Sequence, residues 1–395
     1  DATRPARRAA DRQGDGGGGA AHPSRGVVGA QHPNPPEAAL ALAAQRWFHP
    51  WGELVGGDSG FARTGFLQFV APADNDKLRE NVAMLRGLGV NTRLVTPDEV
   101  EAIAPQVWME RDELAAYEPD SGYADPVATV AALIAAAQRG GATLREGVAV
   151  TGIRVAGGRG AGVATADGPI DEPIVVLANG GWSVGLARPL GIDLPIRPVR
   201  TQIAFFARAA AIPRGRAGGI TIIDRANGFY SRPQGHDLTL IGLSGLYRTM
   251  AEPGADPAGA LDGYRREIDD TFAPIAGDQL ARRLPVMRGQ PFVRGHAGPL
   301  DVTPDSKAII DAAPGVAGLY LAVGMSGSGF KKAPAIGACV AELITGGAAT
   351  TAPIAPFRLA RFAEQAPIPD NAYRLPAIAG ADKGTVAFNE RPLIH

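Results

Sequence analysis

The chain has 395 residues, 39 basic against 40 acidic side chains, and a formal net charge of −1. That balance excludes the basic footprint of a nucleic-acid binder. A single cysteine, Cys339, excludes an internal disulfide or a cysteine-rich metal site. At 45% apolar residues, a chain of this length predicts a large buried core shared between two domains.

No apolar run reaches transmembrane length and no signal-peptide apolar stretch is present, so the expected compartment is cytoplasmic. The six histidines are scattered without metal-ligand spacing. Residues 1–23 contain no Val, Ile, Leu, Phe, Met, Trp or Tyr. A segment with no apolar surface to bury is expected to be disordered. Gly16–Gly19 do not make a dinucleotide fingerprint, which needs an apolar strand before its glycines and a helix after them. The segment reads as an aberrant start or as a natural tail.

From Ser24 the pattern changes. Residues 38–47 carry helical apolar spacing, with Pro35-Pro36-Glu37 as the start signal. Residues 61–70 read as strand and 75–88 as an amphipathic helix. Thr96 is the expected N-cap of another helix. Residues 117–126 read as a loop and 127–139 as an alanine-rich helix ended by Gly140-Gly141. Strands are expected at 142–150, 153–155, 161–166 and 174–177, the last running into the turn Ala178–Trp182. Short antiparallel strands follow at 203–207, 220–223, 228–233 and 238–243. In one of them Tyr230 and Arg232 alternate onto one face. They suit a carboxylate pocket, and the alternative is a packed Tyr beside an exposed Arg. A helix is expected over 264–272, and 291–298 returns towards the first domain. Residues 363–395 are proline-rich and read as a surface-draped tail.

The stretch 300–347 carries the chemistry. Leu319–Val323 is a β-favouring run. Gly324-Met325-Ser326-Gly327-Ser328-Gly329 is a loop whose backbone can approach a ligand. A helix starts near Phe330, with Ile336, Val340 and Leu343 on one face, Pro334 in its first turn and Gly346-Gly347 closing it. Cys339 falls in this helix as a buried small residue. A helix start offers free N–H groups and partial positive charge, to which Lys331 and Lys332 add full charges. Such a site suits an anion, or a ring that becomes anionic during turnover.

Residue identities sharpen this. Thr303-Pro304-Asp305 followed downstream by GMSGSGFKKAPAIG resembles the C-terminal flavin signature of the D-amino-acid oxidase superfamily. The nearest branch is that of sarcosine oxidase, its β-subunit relatives and dimethylglycine dehydrogenase. Four further stretches agree in order: residues 24–54, YEPDSGYADP (117–126), PIVVLANGGWS (173–183) and HAGPLDVTPD (296–305). The resemblance runs from Ser24 to Phe362. It implies an α/β, two-domain fold: an incomplete Rossmann-like FAD-binding domain (24–60, 120–200 and 299–362) and a mixed or antiparallel-sheet substrate domain (61–119 and 201–298). The family's opening strand, GxGxxG turn and Glu-ended second strand find no match in 1–23.

The same resemblance implies the site. Ser24, Arg25, Gly26, Val150, Ala178, Gly180, Trp182, Gly324, Ser326, Gly327, Gly329, Phe330 and Lys331 are the expected FAD contacts, with Val150 meeting the adenine through its backbone. His32 is a further candidate near the flavin. Hydride would leave the carbon beside the substrate nitrogen for flavin N5. The helix start and Lys331 would stabilise charge building near N1 and C2=O. His296 is a candidate base or a polar spacer, and Tyr230 and Arg232 are candidates for the substrate. Gly298 stands where some relatives attach flavin through cysteine, so the FAD is expected to be noncovalent. Leu300 stands where glycine and D-amino-acid oxidases place a carboxylate-binding arginine. The oxygen-activating lysine of some sarcosine oxidases has no counterpart in Leu238–Leu243, which favours a dehydrogenase. The implied substrate is a small amine or amino acid, with oxygen, a quinone or an electron-transfer protein as acceptor. The alternative is a degenerate, non-catalytic or partner-binding member that has lost FAD with its N-terminal unit.

Overall fold

The computed structural model describes residues 7–11, 24–244, 249–250, 261 and 263–374. A nine-stranded mixed sheet forms one half of the molecule. Its long strand Arg197–Ala207 pairs along its length with Phe292–Val302 and also with Leu238–Leu243. The sheet continues through Phe229–Gln234, Thr221–Asp224, Phe66–Phe69 and Ala115–Glu118 to Arg93–Val95. Alternation along these strands separates two faces. One face carries Leu67, Phe69, Ile222, Phe229 and Ile241 and packs under the helix Phe272–Arg283, through Phe272, Ala276 and Leu280. The other presents one register row across the sheet: Gln68, Ile223, Tyr230, Gly242, Ile203 and His296.

The second half is built on parallel pairing. Val175–Leu177 lies parallel to Leu319–Val323, which pairs antiparallel with Ile309–Ala312. A three-stranded meander, Val150–Ala156, Arg159–Thr165 and Gly168–Ile170, packs Ile153 and Val163 against this core. On the sheet's other side the helices Pro35–Phe48 and Gly329–Gly346 bury Leu40, Ala44, Ala335, Ile336, Cys339 and Val340 together.

Capping chemistry follows the sequence closely. Asn34 accepts the amide of Glu37, Thr96 and Glu99 form a reciprocal capping box, and Asp125 accepts the amides of Val127 and Ala128. Several expectations need correction. Arg7–Asp11 is not disordered: it forms a strand parallel to Ala142–Glu146, because main-chain pairing needs no apolar side chains. Residues 1–6 and 12–23, Gly16–Gly19 among them, lie outside the described residues. Residues 264–271 are not helical: the helix starts at Phe272, where Phe272, Ala276 and Leu280 supply the buried stripe. Within 117–126 the chain is not simply loop, since Ala115–Glu118 and Gly122–Tyr123 are strands. Pro334 sits in the second turn, because the helix begins at Gly329. The tail is not merely draped as far as Arg374. Ile368 and Tyr373 are buried, and Asn81 donates to the Asn371 carbonyl and the Tyr373 hydroxyl; residues 375–395 lie outside the described residues. No helix among the described residues is long and apolar enough to cross a membrane.

A buried ion cluster pins the helix-covered face. Arg283 is 2% exposed and donates to both Glu113 oxygens at 2.7 and 2.8 Å, to Asp224 at 2.7 Å and to the Trp108 carbonyl at 2.8 Å, with its plane over Phe69. Despite burial, these acids hold its pKa above the ordinary value. Replacing it would leave two buried carboxylates without a counter-charge. Arg283→Met is expected to destabilise the fold by about 3–5 kcal/mol, measured as a lowered midpoint in chemical unfolding. An unchanged midpoint would show that the cluster contributes nothing to stability.

Candidate active site

The site grows from the loop Gly324–Ser328. Positive φ at Gly324, Ser326 and Gly327 turns the chain sharply into the helix. A Cβ on Gly324 would lie 2.5 Å from the Thr303 methyl, so close packing requires glycine there. Asp301 fixes the loop from below: its carboxylate accepts the Met325 amide at 3.0 Å and its carbonyl the Ser326 amide at 3.0 Å. Burial raises the pKa of this carboxyl, and the Met325 amide partly offsets that. The Ser326 hydroxyl meets the Thr303 amide at 3.2 Å, and Asp305 forms a two-pronged pair with Arg361 at 2.8 and 3.0 Å. The Thr303-Pro304-Asp305 turn is thereby fastened to both the loop and the C-terminal segment.

The helix Gly329–Gly346 has no side-chain N-cap, unlike the three capped helices described above. Its N-cap residue, Ser328, donates instead to the Met325 carbonyl at 3.1 Å. The first-turn amides are left for another acceptor. The two lysines of that turn have different fates. Lys332 is fully buried and ion-paired with Glu37. Glu37 also meets His32 Nδ1 at 3.3 Å and Lys307 at 3.6 Å. Burial opposes ionisation of Glu37, but Lys332, then His32 and Lys307, outweigh it and hold the carboxyl well below its usual range. Lys331 forms no ion pair among the described residues. Burial, reinforced by Lys332, brings its pKa down to about 7 against the attraction of Glu37 and Glu118.

Two buried polar atoms near Lys331 have no partner: His32 Nε2 and Glu118 Oε1. The other Glu118 oxygen accepts the Ala30 amide at 3.1 Å and the Ser121 hydroxyl at 2.5 Å. Burial raises the Glu118 pKa, and burial together with Lys331 lowers that of His32 to about 3. An unpaired amine and uncapped amides at a half-buried helix start, with two orphaned buried polar atoms close by, fit a polar ring with both donors and acceptors and a negative edge.

The structure brings many of the expected residues together. The Gly26 amide meets the Ser24 hydroxyl, and Arg25 lies over the Tyr230 ring with its guanidinium carbon 4.2 Å from the centroid. Arg25 also borders Gly327, as does Leu300. Gly180, in the turn after Val175–Leu177, borders Asp301 and so stands beside the same loop; Ala178 and Trp182 belong to that turn. Phe330 points its ring into a cluster with Phe48, 6.1 Å away. His296 shares the sheet face with Tyr230, its ring 5.7 Å from Phe205. Val150 opens the meander and pairs with Thr165. Arg232, 2% exposed, has its donors taken by the Arg25 carbonyl, the Pro233 carbonyl at 2.7 Å and Gln234 Oε1 at 2.6 Å. It therefore holds the 24–26 loop onto the sheet. The Tyr230 ring lies flat over Gly242, where any Cβ would overlap the phenol.

A family model described as FAD dependent oxidoreductase (DAO) matches residues 10–343. The chain belongs to this family. As a DAO-family protein it is 27% identical to mitochondrial sarcosine dehydrogenase of Homo sapiens over 312 residues, 74% of this chain and 31% of the relative. It is 26% identical to glycine oxidase of Geobacillus kaustophilus over 353 residues, covering 87% of this chain and 88% of that protein. The L-proline dehydrogenase structure from P. horikoshii superposes with a TM-score of 0.79 at 24% identity, covering 89% of each chain. Glycine oxidase from Geobacillus kaustophilus superposes with a TM-score of 0.75 at 25% identity, covering 90% of this chain and 92% of that one. The chain spans 31% of the human and mouse sarcosine dehydrogenases and 50% of the Pseudomonas putida glycine oxidase.

Sequence reasoning missed Glu37, Glu118 and Asp301, because an acidic residue in a polar stretch gives no sign of burial. The unpaired amine has a measurable consequence. The unfolded chain keeps a lysine proton up to about pH 10.5, whereas the folded protein releases that of Lys331 from about pH 7. Between these values the unfolded state holds more protons, so stability rises with pH. The gain is at most about 1.4 kcal/mol per pH unit. Unfolding of the ligand-free protein at pH 7 and 9 is expected to show this rise, and Lys331→Met to flatten it. Equal slopes in the two proteins would rule out a depressed Lys331.

Proposed function

We propose that this DAO-family protein holds FAD noncovalently and oxidises the C–N bond of an amino acid or N-substituted amino acid. The observation that carries this is the uncapped helix start at Gly329 with the unpaired Lys331 beside it. Supporting it, the relatives are named for sarcosine, glycine and L-proline, each an amino acid. FAD, when bound, supplies the acceptor for a hydride. The residues suited to hold it are Ser24–Gly26, Gly180, Gly324–Gly329 and Lys331, with Val150 at the distant adenine end.

The protein's own part is electrostatic and positional. The first-turn amides, and Lys331 when protonated, place positive potential at the ring's electron-accepting edge. Glu118 and His32 offer an acceptor and a donor-or-acceptor there, selecting a heterocycle over a simple anion. Tyr230 and His296 project from the substrate-domain sheet to orient the amine, with His296 a candidate to take its proton. Arg25 is free for an anionic group, whereas Arg232 fixes the loop that carries Arg25. Cys339, the chain's one cysteine, is buried between helix and Ala352 and is not available for attachment. We read the enzyme as a dehydrogenase rather than an oxidase, since Leu238–Leu243 offers no lysine for oxygen activation.

The purified protein is expected to carry a flavin spectrum, or to acquire one on incubation with FAD. Anaerobic sarcosine, glycine, L-proline or D-alanine should bleach that band. A protein that stays colourless with added FAD, at full folding, would end this reading. Lys331→Met should still fold and reduce the rate of bleaching by about 100-fold or more. Turnover with a dye acceptor should exceed turnover with oxygen, and the opposite order would make it an oxidase.

A further inference from the structure

Arg225 has no role in the site described so far, and its position is unusual. It follows the strand Thr221–Asp224, and its amide donates to the Phe69 carbonyl at 2.8 Å, so the ladder continues through it. Alternation places it on the face of Ile223 and Tyr230, opposite Asp224, which serves Arg283 on the helix-covered face. Arg25 reaches that same face from the loop by lying over Tyr230. Neither guanidinium makes an ion pair or a side-chain hydrogen bond among the described residues. Arg225 Nε is shut off from solvent without any partner.

The nearby groups of the tail do not satisfy Arg225. Asp370 is engaged by Lys307 at 2.7 Å, and the Tyr373 hydroxyl accepts from Asn81 at 2.8 Å. Burial, then repulsion from Arg25, makes the charged form of Arg225 less favourable than usual. Both side chains are half-buried, and two guanidiniums without a counter-charge on one face attract anionic partners. An amino acid with a single carboxylate neutralises only one of them and brings its own ammonium.

Resting on the reading of this site as an amino-acid oxidoreductase, the geometry points to a substrate with two carboxylates, one met by Arg25 and the other by Arg225. The substrate class is an amino-dicarboxylic acid or an N-carboxymethyl amine. Arg225 then sets specificity without touching the reacting C–N bond.

The test uses flavin-loaded protein with iminodiacetate and N-methyl-aspartate against sarcosine and L-proline. A diacid is expected to exceed the monoacids in kcat/KM by about 100-fold, the scale of one buried charge-assisted pair. Arg225→Leu should remove about 10- to 100-fold from the diacids and leave sarcosine unchanged. Diacids no better than monoacids, or an equal loss for both classes, would overturn the inference; the second outcome would mean that both arginines share one carboxylate. A binding arm is independent of turnover. Succinate should raise the Tm of the wild-type protein at concentrations where acetate does not, and Arg225→Leu should lose that shift. Arg225→Gln, which keeps a polar side chain of similar length but not the charge, replaces the leucine variant if the latter does not fold. If no amine bleaches the flavin, the proposed activity fails, while succinate against acetate still decides whether the two-arginine site exists.

Discussion

One buried carboxylate sorts the charges of the site. Glu37 faces His32, Lys307 and Lys332, and it engages Lys332 most closely. Because Glu37 belongs to the helix Pro35–Phe48 and Lys332 to Gly329–Gly346, this pair also clamps the two helices that meet under the loop. A buried pair of this kind gains little net stability, since desolvation offsets most of its attraction. Its consequence is selective: one of two adjacent lysines is neutralised and locked, and the other is left half-buried without an ion pair among the described residues. The positive potential of the site is thus the remainder of a charge balance and not simply the presence of lysine.

The substrate-domain sheet separates stability from chemistry by alternation. Residues facing the helix Phe272–Arg283 are apolar or locked in the Arg283 cluster. Residues facing the other way include the polar side chains of Tyr230, Arg232, His296 and Arg225. Gly242 is what lets that face work, because only a residue without a Cβ allows the Tyr230 ring to lie flat across the neighbouring strand. A one-residue slip in any of these strands would exchange the two faces and lose both functions at once.

Rigidity at the loop comes from below and behind. Asp301 and Thr303 hold the main chain of Met325 and Ser326, and Arg361 holds Asp305. A loop with three residues at positive φ would otherwise sample many conformations. Fixing it in advance means that amides and ammonium need not reorganise as charge develops, which is where electrostatic catalysis gains most.

The amino-acid sequence determined the elements whose signals are local. Asn34, Thr96 and Asp125 cap the helices they precede, Gly347 closes the last helix in the left-handed region, and the glycine loop sits between strand and helix where its spacing placed it. Each of these depends on groups a few residues apart, so the pattern alone carries them. Only the tertiary structure decided that Lys331 and not Lys332 is the free amine, that Arg232 is consumed by main-chain carbonyls, and that Arg25 and Arg225 belong to one face of the sheet. Charge state and availability depend on partners 88 to nearly 300 residues away, as with Glu118 for Ala30 and Glu37 for Lys332. Burial and pairing are properties of the folded neighbourhood, and no local pattern in the chain encodes them.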